Sequence, residues 1–292
     1  MKNKINCFYT VFLTYRERLE LCQALSLPLP KKLILSLNLG ITEYEEIILH
    51  KDMIQTTNKK LPLPSPKLLN SDERTILIYD GQTWRKWEYF DEYTQKFFKM
   101  IYVGKNKPPT VEISGIKMHV TKEGNPALDT ENKIKVFQQL NGIVLDTCTG
   151  LGYTAIRAAQ NKGVKKVFAC ESDMNIIKIC RENPWSQQIF QQKRIFPVIC
   201  PVQDFVRMFS DNFIDYIIHD PPRFSLSPAL YAEKFYIELH RILRNKGELY
   251  HYTGDPNKKI RKQPLWKSTK HLLKKVGFRR VEHTYQGIWA QK

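Results

Sequence analysis

Residues 144–156 read VLDTCTGLGYTAI: an apolar strand stops at the carboxylate of Asp146, and a turn containing Gly150 and Gly152 opens a helix. Nothing else in the chain limits it as tightly. Glycine adopts backbone conformations that other residues resist, and it lets a second molecule approach the main chain with no side chain in the way. A carboxylate at a strand tip followed by such a turn is a place where a nucleotide-like ligand can rest. The chain is therefore expected to handle a cofactor.

From Val111 onward strand and helix alternate, which favours a parallel sheet with helices on both faces. The strands read 144–148, 164–171, 194–200, 213–220 and 247–254. Helices fall over 154–163, 174–183, where Asn183-Pro184 stops the run, 229–245 and 266–277. The segments 278–286 and 287–291 are close enough to form an antiparallel pair. Before Glu112 the texture is one of short strands and turns. A helix is expected over 13–25, strands over 33–40 and 44–50, a proline-rich break over 61–70, and a hairpin that turns at Asp80-Gly81. The expected organisation is an N-terminal α+β domain over 1–110, serving recognition or an accessory role, and a catalytic α/β domain over 111–292.

The 292 residues, 42% hydrophobic and 12% aromatic, suffice for one sizeable domain and a smaller one. Cysteines stand at 7, 22, 148, 170, 180 and 200, with no C-x-x-C pair and no histidine at ligand spacing, so neither a metal site nor a disulfide framework is expected. Scattered thiols suit a reducing compartment. No apolar run approaches a membrane span, and the N-terminus lacks a small-residue cleavage site. A cytoplasmic protein is expected. Its formal net charge of +17 points to a polyanionic partner rather than to small neutral metabolites.

Gly150-x-Gly152-x-x-Ala155 with Glu171 about twenty residues on fits a loose dinucleotide fingerprint, and each part has a plain alternative. The glycines serve equally in a tight turn, and Glu171 and Asp204 serve as acids at helix starts. Taken together, Asp146 before the turn, Glu171 ending the second strand, Asp204 after the third and the terminal hairpin resemble the pattern of class I S-adenosylmethionine-dependent methyltransferases. The resemblance implies that Gly150 and Gly152 back the methionine part of S-adenosyl-L-methionine, that Glu171 holds the ribose and that Asp204 meets the adenine. Cys148 replaces the usual first glycine. Asp129, Thr130 and Lys133, upstream of the first strand, stand where they can cover the methionine end or simply cap a helix.

The second informative stretch is IIHDPPRFS, 217–225. Pro221 and Pro222 fix φ and push Asp220 into an extended conformation, so the strand ends and presents its acid in a stiff loop. Asp220 is then placed to accept a hydrogen bond from an incoming amine. The loop is similar to that of methyltransferases acting on exocyclic amines of bases, which follow Asp or Asn and two prolines with an aromatic. Here Arg223 takes the aromatic's place and Phe224 follows, a DPP-R/K-F form similar to that of some RNA methyltransferases. Phe224 would stack, or Arg223 would meet phosphate. The plain alternative is a strand terminator with Asp220 as a cap. DTCTGLGYTAI, ESD, NPWS and HDPPRFS together resemble a family of predicted archaeal-type methyltransferases of similar length.

From Pro256 to Val281 there are ten lysines and arginines and no acid. Lys258, Lys259, Arg261 and Lys262 lie in a loop expected at the same sheet edge as Asp220, and Trp266 or Tyr252 can stack on a base. Lys270, Lys274 and Lys275 read equally as the solvated face of an amphipathic helix. RNA is the expected partner. Residues 230–254 are also similar to a region of spermidine synthases, in which an acid deprotonates the attacking amine, although that family's glycine-rich signature is missing. A non-catalytic RNA-binding protein on a methyltransferase scaffold is the third reading. His219 reads as a core residue, and of His251 and Tyr252 only one can face a ligand.

Overall fold

The structure, a computed structural model, describes residues 10–41, 44–121, 124–254 and 264–292. The chain divides into two compact units, Met1–Pro126 and Ala127–Lys292. The boundary lies later than position 110 because Thr110–Ile113 pairs with Lys96–Ile101 and Ile116–Lys117 and so belongs to the first unit.

Among the described residues that first unit is built from three small antiparallel sheets, a helix over Tyr15–Leu25 and a one-turn helix over Pro66–Leu69. Thr14 and Glu17 cap the helix reciprocally. Arg18, 1% exposed, points from it into the unit and donates to the carbonyls of Leu69, Ser71 and Asp72 at 2.7–2.8 Å. A buried cation is tolerated there because carbonyl oxygens replace its water. The Asp80-Gly81 hairpin forms as expected, with Tyr79 opposite Trp84. Of its aromatics, Trp84 and Trp87 are core residues, Tyr89 stacks on Phe98 and Phe90 is exposed.

The second unit follows the strand–helix alternation. Its elements are α1 (Pro126–Ile134), β1 (Gly142–Asp146), α2 (Tyr153–Ala159), β2 (Val164–Glu171), α3 (Met174–Glu182), β3 (Ile195–Ile199), α4 (Val202–Phe205), β4 (Ile214–His219), α5 (Glu233–Ile242), β5 (Leu243–Tyr252), α6 (Leu265–Val276), β6 (Arg280–Thr284) and β7 (Gly287–Gln291). They form one seven-stranded sheet in the order β3-β2-β1-β4-β5-β7-β6. The first five strands are parallel, and the terminal hairpin adds antiparallel to β5. Strand order reverses between β1 and β4, which pair directly, with Asp146 opposite Ile218. In open α/β sheets the carboxyl ends of strands at such a reversal bind ligands.

One helix differs from expectation. The stretch 229–245 is a short turn at Pro228–Tyr231 followed by α5, and its last residues already belong to β5, where Leu243 pairs with Ile214. Sheet pairing captures those residues because the apolar face of α5 is complete at Ile242: Phe235, Tyr236, Leu239 and Ile242 are all buried against the sheet. The packing of α5 covers one side of β5, and α6, packed against α5, covers β6 and β7.

A candidate active site at the carboxyl edge of the sheet

At the tip of β1 the carboxylate of Asp146 is completely buried. Its Oδ2 accepts a hydrogen bond from Thr154 in α2 at 2.6 Å, whereas Oδ1 has no partner. Burial pushes the Asp146 carboxyl up to about 7, against the Thr154 hydrogen bond. The turn after it is closed by Glu171, whose Oε2 accepts from the Gly150 amide at 3.0 Å while Oε1 accepts from Ser172 and Asp173. The NPWS segment braces the same turn from behind. Ser186 donates to the Leu151 carbonyl and Asn183 to the Tyr153 hydroxyl, both from fully buried positions.

Gly152 adopts φ +83°, and a Cβ there would meet Ile189 Cδ1 at 1.9 Å. This glycine is required by packing against the one-turn helix Gln188–Gln191, a demand that holds whether or not its backbone also backs a cofactor. Gly150 has φ +54°, the left-handed region that favours glycine.

At the tip of β4, Asp220 meets a lysine that the sequence places far upstream. Lys133 of α1 sits 2.6 Å from Asp220 Oδ2 and 2.7 Å from Asp129 Oδ2, with 4% of its side chain exposed. Its ammonium lies 4.8 Å from the centre of the Tyr252 ring. Burial works against the charge on Lys133, but Asp220 and Asp129 outweigh it and hold the ammonium above the usual lysine range. For Asp220 burial is the larger influence and raises the carboxyl, with Lys133 opposing. Tyr285 donates to Asp129 Oδ1 and completes the cluster.

The loop that follows is pinned at two points. Tyr231 donates to the Pro222 carbonyl at 2.9 Å, and His219 Nε2 contacts the Leu230 carbonyl at 3.0 Å. A carbonyl can only accept, so Nε2 carries the proton and Nδ1 accepts from Thr147 at 2.7 Å. Desolvation lowers the His219 pKa to about 4, which keeps the ring neutral. Of the pair on β5, His251 is buried against Tyr236, and Tyr252 is the residue that faces the site.

The two tips converge. A cavity of about 240 Å³ is lined by Thr147 and Cys148 after β1, Glu171 and Ser172 after β2, Cys200 and Gln203 after β3, and Pro222, Ser227 and Leu230 of the β4 loop. Asp146 and Asp220 lie just before the wall residues Thr147 and Pro222, close enough that the Asp220 charge adds to the rise of the Asp146 carboxyl. Phe224 stands edge-on to Tyr231 at the loop, with 40% exposure, and Arg223 and Pro222 are exposed while Pro221 is buried. Asp204 does not join the cavity wall. It is 68% exposed and faces Arg207, because one turn of α4 carries it outward, and Gln203 takes the inward position. Trp266 packs on His283 against the unit's core rather than standing free. Lys258, Lys259, Arg261 and Lys262 lie outside the described residues.

Reasoning from sequence missed Cys200 and Gln203 as cavity residues and Lys133 as the partner of Asp220. The first two follow a strand already placed, so the rule that ligands sit beyond strand ends was the available signal. The Lys133 contact joins positions 87 apart, and no local pattern announces it. Among the described residues there is no cluster of three or more His, Cys, Asp or Glu able to hold a metal, and no helix is long and apolar enough to cross a membrane.

No known family model matches the chain. Over 263 residues, 88% of this chain and 88% of the relative, it is 37% identical to the uncharacterized protein MJ1233 of Methanocaldococcus jannaschii. The chain belongs to the family of that archaeal protein. Membership assigns no activity, since the relative is itself uncharacterized. Among solved structures, a spermidine synthase in complex with the transition-state analogue AdoDATO matches with a TM-score of 0.57 at 21% identity, over 70% of this chain and 71% of its own. The spermidine synthase of Thermotoga maritima gives 0.54 at 20% identity, over 70% of each chain. Likeness at this identity is one of fold. The strand order and these matches make the second unit a Rossmann-like sheet of the class I methyltransferase type, the architecture expected from the sequence.

Proposed function

We propose that the chain is an S-adenosylmethionine-dependent methyltransferase that N-methylates a base in RNA. The observation that carries this reading is the convergence of the Asp146–Glu171 turn and the Asp220-Pro221-Pro222 loop on one cavity. The residues present fit the cofactor. Asp146 Oδ1 is a buried carboxylate oxygen with no partner, which suits the cofactor's α-ammonium. Glu171 lines the cavity and has lone pairs left for ribose hydroxyls, and Gln203 offers an amide at the adenine end.

When bound, S-adenosylmethionine supplies a methyl group activated by its sulfonium, which leaves as a neutral thioether. The protein has only to align the nucleophile. Asp220 accepts an N–H of the target amine and turns the nitrogen lone pair towards the methyl carbon. The stiffness of Pro221-Pro222 fixes that direction, and Phe224 offers a face on which the base stacks. The new N–C bond leaves the nitrogen with one proton too many, which passes to water at the partly exposed side of Asp220. Arg223, Tyr252 and the basic segment 258–262 would meet the nucleic acid, in keeping with the net charge of +17.

A second reading, transfer of an aminopropyl or other alkyl group to a small amine, is favoured by one observation. Asp129, Asp220 and the Tyr252 ring already surround a primary ammonium, that of Lys133. One experiment separates the two. The purified chain is incubated with methyl-labelled S-adenosylmethionine and total RNA, and in parallel with decarboxylated S-adenosylmethionine and putrescine. Label in RNA that disappears in Asp220→Ala supports the first reading. Aminopropyl product without labelled RNA supports the second and overturns the first.

A further inference from the structure

Asp220 occupies a difficult position for a carboxylate. The titratable groups around it are Asp129 from α1, Asp146 and Cys148 from β1 and its turn, Tyr250 and Tyr252 from β5, and Tyr231 from its own loop. None of these supplies positive charge, and two are carboxyls whose ionised forms would repel it. Burial and like charge both favour the protonated acid. A protonated Asp220 would offer its hydrogen to the substrate nitrogen and occupy the lone pair that must attack carbon. The chemistry proposed for Asp220 therefore depends on something that keeps it ionised.

Lys133 is the group in place to do so. Its Nζ donates to Asp220 Oδ2 at 2.6 Å and forms an ion pair with Asp129 Oδ2 at 2.7 Å, so one ammonium answers both carboxylates. Tyr252 covers its remaining face at 4.8 Å, a cation–π contact strengthened by desolvation. With 4% of its side chain exposed, Lys133 has no comparable alternative position in water. The contact also selects one oxygen, because Oδ2 is taken by Lys133 and Oδ1 remains for the amine.

We propose that Lys133 is a positioning residue that keeps Asp220 ionised and pins one of its oxygens, so that the other is presented to the incoming amine. The inference rests on the methyltransferase reading for its purpose but not for its test. Lys133 touches no reacting atom. It sets the charge and the rotamer of the residue that does, and α1 is thereby part of the active site although it precedes the sheet in sequence.

The test is a carboxyl-carbon NMR titration of the full chain, with the Asp220 signal assigned by its loss in Asp220→Asn. Lys133→Met should move the Asp220 midpoint up by about 1–3 pH units, the range produced by a neighbouring opposite charge. Lys133→Arg, which keeps the cation, should leave the midpoint near that of the unaltered chain. Because Lys133→Met leaves two buried acids facing each other, the charge-balanced double variant Asp129→Asn/Lys133→Met is measured beside it, and the upward shift should persist there. An Asp220 midpoint that stays put in these Met variants, folded by circular dichroism, overturns the proposal. Label incorporation from S-adenosylmethionine into RNA is followed across the same pH range. If the unaltered chain methylates no RNA while the titration shifts as expected, the functional reading fails and the role of Lys133 stands. If methylation proceeds with an unchanged acid limb in the Met variants, the role of Lys133 fails and the functional reading stands.

Discussion

Two neighbouring strand tips hold a fully buried acid and a half-buried one in opposite conditions. Asp220, ending β4, has a lysine that bonds one oxygen directly, while Asp146, ending β1, has a neutral threonine on one oxygen and nothing on the other. Both belong to the same sheet edge and interact electrostatically. The contrast underlies the separate roles proposed for the two ends of the site. The β4 tip carries its own cation, which opposes the rise that burial imposes on the Asp220 carboxyl. The β1 tip lacks one, and in the proposed reading the cofactor's α-ammonium would supply it. An uncompensated buried acid is costly for folding, which is why the proposed reading sets the cofactor's cation against Asp146.

The largest effect expected from this contrast concerns the reaction. Asp220→Ala should lower labelled-methyl transfer to RNA by roughly 10²–10⁴-fold, with S-adenosylmethionine affinity by calorimetry nearly unchanged. If affinity collapsed together with rate, the division between the two tips would be wrong. Next in size is the cost of unbalancing the β4 cluster. Lys133→Met should destabilise the chain by about 3–5 kcal/mol in urea unfolding, since it strands two buried carboxylates. The double variant Asp129→Asn/Lys133→Met should recover part of that loss, and no recovery would mean that the lysine acts through packing alone.

A smaller effect belongs to the β1 turn. Gly152→Ala places a Cβ against Ile189 in a left-handed conformation and should cost about 1–3 kcal/mol. Ile189→Ala in the same chain should return some of it. Full recovery of cofactor affinity in that pair would separate the packing role of Gly152 from any contact with ligand.

The smallest effect is a matter of pH. The folded carboxyl of Asp146 titrates near 7, above its unfolded value, so the native state holds a proton that the unfolded chain releases between about 4 and 7. Stability should therefore fall as pH rises through that window, and Asp146→Asn should flatten the decline. His219, lowered to about 4, works the other way: its contribution is present above the usual histidine value and is lost as pH falls towards 4. A cation bound at Asp146 favours its ionised form. Calorimetry at pH 6 in buffers of differing ionisation enthalpy should show proton release on S-adenosylmethionine binding, and affinity should rise with pH up to about 7 and then level.

Much of this organisation was legible in the chain. The five parallel strands and the terminal hairpin follow from apolar runs bounded by glycine, proline and acids, because strands buried on both faces leave a continuous apolar signature. Asp146, Glu171 and Asp220 could be placed at one sheet edge because each ends such a run, and strand ends are where an open sheet binds. Local patterns also have limits. Gly152 looks identical in sequence whether a ligand or Ile189 fills the space beside it. Asp204 and Gln203 are adjacent, and which one faces inward depends on where α4 begins its turn. The join between α5 and β5 was misplaced because Leu243 is apolar in either element, and only its pairing with Ile214 decides. Lys133 could not be assigned because its partner lies on another element and the bond is set by tertiary packing.

The central claim is that both tips serve one bound sulfonium donor, and a crystal structure of the full chain with S-adenosylhomocysteine tests it most directly. The account predicts ribose hydroxyls on Glu171, the α-ammonium beside Asp146 Oδ1, and the sulfur facing Asp220 across the cavity. A saturated crystal with the ligand elsewhere, or with its sulfur turned away from the Asp220 loop, would contradict it.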